Sequence, residues 1–81
     1  MDELRMMLTL NKNDENAYYM SKYMKFKFKY FGIKTPERKS LTKVFIKEKV
    51  MQEMNWDFVF WCFSQDEREY QYIALDYLDK I

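Results

Sequence analysis

Gly32 and Pro36 are the only glycine and the only proline in 81 residues, and they stand four positions apart. Gly32 reads as the stop of a preceding helix, because it takes a left-handed backbone conformation without steric cost. Thr35-Pro36 reads as the start of the next one: Thr35 caps, and Pro36 sits in the first turn, where its missing N–H is not needed. The stretch around them, Ser21 to Lys43, also holds the densest positive charge. From Lys22 to Lys49, nine lysines and Arg38 face only Glu37 and Glu48, a local net of +8, while the remainder carries −7, so the overall +1 conceals a strong dipole.

In order along the chain, residues 2 to 11 place Leu4, Met7, Leu8 and Leu10 at helical spacing behind Asp2 and Glu3, which suit the positive end of a helix dipole. Asp14 is the candidate N-cap of a second helix carrying Ala17, Tyr18, Met20, Met24 and Phe28. Inside that segment Lys25-Phe26-Lys27-Phe28-Lys29-Tyr30 alternates strictly, the signature of a half-buried strand, yet no other segment offers a partner of similar pattern. After Pro36 an amphipathic helix sets Leu41, Val44, Phe45 and Ile46 against Lys39, Lys43 and Lys47 at four-residue spacing. A fourth helix is expected over Met51 to Phe63 with Trp56, Val59, Phe60 and Phe63 as its core side. Ser64 or Asp66 caps the last, with Asp66 and Glu69 in the form of a capping box. That last helix places Tyr70, Ile73, Ala74, Tyr77, Leu78 and Ile81 on one face and Tyr72 and Leu75 on the other, so it expects neighbours on both sides. The reading is an all-α chain of about five antiparallel helices in short pairs.

The residue types present narrow the chemistry. With no histidine there is no ordinary neutral-pH general base and no Ser/His/Asp or Cys/His arrangement. One cysteine, Cys62 in the apolar run FVFWCFS, makes no intramolecular disulfide and reads as a buried small hydrophobe of a cytoplasmic protein. A single glycine cannot build a phosphate cradle, and Asp76 with Asp79 reads as a solvated pair, so no metal, cofactor or catalytic residue is assigned. No apolar run approaches the roughly 18 residues of a membrane span.

Tyr23-Met24-Lys25, Phe31-Gly32-Ile33, Thr35-Pro36-Glu37-Arg38-Lys39, then Glu67-Arg68-Glu69-Tyr70 and Ala74-Leu75-Asp76, in that order, resemble the start of the DNA alkylation repair glycosylases built from HEAT-like helical repeats. The resemblance runs from Ala17 to the end. It implies an α-solenoid of antiparallel HEAT-like helix pairs, and it resolves Lys25–Tyr30 in favour of helix. That family's catalytic aspartate and pocket tryptophans belong to later repeats, so residues 1–81 are expected to be one domain, the amino-terminal repeats of a longer protein. Trp56 and Trp61 come one helix too early and are read as core.

In the resembled family the helix after Thr35-Pro36 belongs to the concave DNA-facing layer, which makes Arg38, Lys39, Lys43 and Lys47 the expected DNA contacts. Tyr23 matches a tyrosine near the lesion end of the cleft, and its plainer reading is a core ring with a bonded hydroxyl. The implied activity is hydrolysis of the N-glycosidic bond of N3- or N7-alkylated purines in double-stranded DNA, with this part supplying one end of the cleft. The alternative is a non-catalytic HEAT-type module for protein interaction or nucleic-acid binding, self-associating through Tyr70, Leu75 and Tyr77 of the last helix.

Overall fold

The computed structural model describes residues 1–81, and the chain is all-helical: α1 (Asp2–Leu10), α2 (Asp14–Tyr23), α3 (Thr35–Val50), α4 (Trp56–Ser64) and α5 (Arg68–Lys80). No helix is long and apolar enough to cross a membrane.

α5 is the central element and packs against both α3 and α4. Its Tyr70, Ile73, Ala74 and Tyr77, spaced three and four apart, are fully buried. Around them lie Leu4 and Leu8 of α1, Ile46 of α3, Phe58, Val59 and Cys62 of α4, and Phe31 and Ile33 from the segment before α3. The rings meet edge to face, Phe58 with Tyr77 at 5.4 Å and Phe31 with Tyr70 at 5.6 Å, the arrangement their quadrupoles favour. α1 is pinned by Arg5, whose guanidinium donates to the Gln65 side chain, pairs with Glu67 at 3.8 Å and lies over the Tyr70 ring. One face of α5 is thus covered within the chain, and on the other Tyr72 is half-buried beside Arg38 and Arg68. Tyr70 and Tyr77 are core rather than a self-association surface, and of the three residues expected there only Leu75 is exposed.

The expected helix to Gly32 is the main correction. α2 ends at Tyr23, Lys25 and Phe26 turn the chain at φ 56° and 57°, and the following residues run without helix. The Lys29 carbonyl then accepts the Arg68 N–H at 2.8 Å, beside an isolated bridge to Glu67. The reason lies just beyond. Glu69 is fully buried, and its carboxylate accepts the N–H groups of Phe31, Gly32 and Ile33 at 3.0, 3.0 and 3.2 Å. A helix running to Gly32 would spend the first two of those donors on carbonyls four residues back and leave a buried carboxylate unsatisfied. Glu69 accordingly makes no capping box with Asp66; α5 begins after Glu67 without a side-chain cap.

Gly32 does hold a left-handed φ of +93°, but for close approach rather than helix termination. A Cβ there would collide with the Asn13 carbonyl oxygen and lie 2.7 Å from the Ala17 nitrogen. Asn13, not Asp14, caps α2, its Oδ1 accepting the Asn16 N–H at 3.0 Å, and its own N–H donates to the Phe31 carbonyl at 2.8 Å. α3 keeps Pro36 in its first turn, with Lys34 in the cap position and Thr35 already helical. α4 starts late, at Trp56, because Asn55 caps it by accepting the Phe58 N–H. Its buried side is Phe58, Val59 and Cys62, whereas Trp56, Phe60 and Phe63 are exposed and Trp61 is half-buried against Tyr70. A nine-residue helix that is apolar all round carries no periodic signal for which side faces in.

Candidate nucleic-acid interface

α2 buries none of its ten residues. Asn16, Tyr19, Met20 and Tyr23 recur at three- and four-residue spacing along one of its faces, followed by Met24. Across an open cleft of about 610 Å³ they face Tyr30, the α3 start at Lys34, Thr35 and Arg38, and Tyr72 of α5. The lining holds four tyrosines and two cations and no carboxylate. Tyr23 is 87% exposed, so the core reading of that ring does not hold.

The Tyr72 ring lies between two guanidinium groups, Arg38 at 5.1 Å and Arg68 at 5.5 Å, a cation–π arrangement that fixes its plane. Burial, with the adjacent Tyr72 hydroxyl, pushes Tyr30 up to about 12, so at neutral pH it is a neutral hydroxyl able to donate. Arg38 is committed within the fold. Its Nε and Nη2 donate to Asp76 Oδ2 at 3.3 and 3.2 Å, Nη1 approaches Thr35 Oγ1 at 3.5 Å, and its side chain is 7% exposed. The expected four-member basic set therefore divides, with Arg38 tying α3 to α5 at the cleft floor.

Lys39, Lys43 and Lys47 are all exposed and none forms an ion pair. They begin one residue beyond Arg38 and rise along α3 in steps of about 6 Å. Tyr19, Tyr30, Lys34 and Tyr72 join the site only in three dimensions. The Tyr19–Tyr23 spacing was the one local hint of a shared face. Of the acids near this region, Asp76 is engaged with Arg38 and Glu69 with three N–H groups, while Glu37 and Glu48 of α3 are exposed and in no ion pair. Cys62 is buried, and burial pushes its thiol up to about 12, far from a neutral-pH thiolate. No group of three or more Cys, Asp or Glu side chains is placed to hold a metal ion.

Residues 4–81 match the family model described as DNA alkylation repair enzyme. A solved structure titled a predicted DNA alkylation repair enzyme, from Enterococcus faecalis, superposes with a TM-score of 0.80 at 38% sequence identity over 85% of this chain. The chain spans 33% of that structure's length. No curated protein matches the chain.

Proposed function

The chain belongs to the DNA alkylation repair enzyme family, and we propose that it supplies one wall of a duplex-binding cleft in a glycosylase acting on N3- or N7-alkylated purines. The observation that carries this reading is the exposed, unpaired Lys39–Lys43–Lys47 row on α3, the helix whose first residues line a tyrosine-rich cleft that contains Tyr23. Cations free of internal partners are the groups that release counterions on meeting a phosphate backbone. A purine made cationic by alkylation is already a good leaving group, so the remaining demand is a fixed carboxylate for the developing oxocarbenium sugar and a surface that holds the duplex. The cleft lining has no carboxylate, so the role of these residues is binding, with the carboxylate supplied from outside them.

The test is the salt dependence of duplex affinity. Replacing Lys39 and Lys43 together by alanine lowers the slope of log K against log salt by about 2 if both meet phosphates. An unchanged slope removes the stripe from the interface. Release of alkylated base by the protein, read on DNA treated with a methylating agent, tests the glycosylase part separately.

A second reading is favoured by one observation. Trp56 and Phe60, stacked at 6.1 Å, lie exposed with Phe63 along the outer side of α4, an apolar strip suited to covering by protein. A protein-interaction role uses that strip rather than α5.

A further inference from the structure

Tyr18 of α2 and Phe26 of the turn after it line a surface away from the cleft, and both, like Tyr19 at the cleft edge, are more than half exposed. Tyr18 meets Tyr19 edge to face at 5.4 Å and Phe26 at 5.9 Å, so the three rings form one continuous aromatic patch. Lys22, Lys25 and Lys27 are exposed beside them, while the acids of α2, Asp14 and Glu15, lie one turn before Tyr18 and Tyr19, Asp14 lining the same concavity as Tyr18 and Phe26. None of these three lysines is in an ion pair. The ring of Phe26 is held out by a backbone that does not suit it. Lys25 and Phe26 are consecutive non-glycine residues at positive φ, a conformation that costs of order 1 kcal/mol or more at each. Three backbone bonds fix the turn there: Lys25 N–H to Lys22 O at 3.0 Å, Phe26 N–H to Ser21 O at 2.7 Å and Lys27 N–H to Met24 O at 3.2 Å. Nothing in the core needs Phe26 in that position, because α2 buries no residue and the core is assembled from the other four helices and Phe31 with Ile33.

Exposed rings beside unpaired lysines match the requirements of unpaired nucleotides, which offer stacking faces and phosphates but no duplex groove. We propose that Tyr18 and Phe26, with Tyr19 at the edge shared with the cleft, form a stacking platform for single-stranded nucleic acid, with Lys22, Lys25 and Lys27 meeting its phosphates, on a surface separate from the lysine row of α3. The inference rests on the reading of the chain as a DNA-binding protein and adds a second class of DNA structure. A strand gap, a frayed end or an unpaired stretch beside a damaged base would present it.

The experiment compares two fluorescent probes, an oligothymidine and a fully paired duplex, by anisotropy on the full chain. Tyr18→Leu with Phe26→Leu keeps the apolar bulk and removes the π faces. All replaced side chains are solvent-exposed, and circular dichroism melting establishes that the variant is folded. The expected result is a loss of about five- to hundredfold in oligothymidine affinity with duplex affinity changed less than about twofold. Lys39→Ala with Lys43→Ala should give the opposite pattern. Equal losses on both probes, or oligothymidine affinity unchanged by the leucine variant, overturn the platform. Wild-type binding of duplex without oligothymidine also overturns it and leaves the duplex reading standing, whereas binding of neither probe removes both.

Discussion

Gly32 donates its backbone N–H to the carboxylate of Glu69 across 37 positions of sequence, at 3.0 Å and with Glu69 wholly shielded from solvent. With Phe31 and Ile33 donating alongside, one side chain at the start of α5 organises the chain reversal that separates α2 from α3. Glu69→Gln should be strongly destabilising, because the amide NH₂ would be presented to a donor. The expected loss is about 2–4 kcal/mol, or roughly 10–25 °C in melting temperature for a domain of this size. A thermal melt shifted by only a few degrees would show that water replaces the carboxylate.

Gly32→Ala should be damaging for a different reason, since both the positive φ and the contact with the Asn13 carbonyl exclude a Cβ. We expect a loss of at least about 2 kcal/mol, measured by urea denaturation. A stability equal to wild type would mean that the α2 start moves freely away from Gly32.

Arg38 and its neighbours on α3 should separate by experiment. Arg38→Ala removes one partner of a largely buried ion pair and leaves Asp76 uncompensated, an expected destabilisation of about 2–4 kcal/mol. Lys39→Ala and Lys43→Ala are exposed and should change stability by less than about 0.5 kcal/mol while weakening duplex binding. Denaturation and binding curves on the same samples check both halves. A fully stable Arg38→Ala variant with weakened duplex binding would return that residue to the DNA-facing set.

Alkaline pH should unfold the chain before its surface charges explain why. Burial holds Cys62 and Tyr70 at about 12 in the folded protein, above their ordinary values of 9.0 and 10.0. Raised folded-state values mean that their contribution is complete below about pH 9 and is lost as the unfolded form deprotonates first between about 9 and 12. The slope is at most about 1.4 kcal/mol per pH unit for each group. Stability measured from pH 8 to 11 should therefore fall, and less steeply in Cys62→Ala. In the same vein, Cys62 should react with a thiol reagent at neutral pH only on unfolding, and prompt labelling of the native protein would contradict its burial.

If the exposed Trp56–Phe60 pair is covered by protein, Phe60→Glu should shift sedimentation toward monomer at high concentration. A wild-type chain already monomeric under those conditions would remove the case for self-association there.

The sequence by itself determined what depends on neighbours within a turn or two. The all-helical class, the start of α3 at Thr35-Pro36 and the free lysine row follow from spacing and local backbone preference, which act over a few residues; of the apolar set Leu4, Met7, Leu8 and Leu10 in α1, Leu4 and Leu8 are buried and Leu10 is exposed. Tertiary structure decided what depends on distant partners. The end of α2 at Tyr23 answers to Glu69, whose demand for three backbone donors appears in no local pattern. Arg38 turned inward because Asp76 and the Tyr72 ring were there to receive it, and a guanidinium suits water and a buried ion pair alike. The buried side of α4 was likewise chosen by α5, since phenylalanine and tryptophan on every face of a short helix leave nothing in the pattern to choose between them.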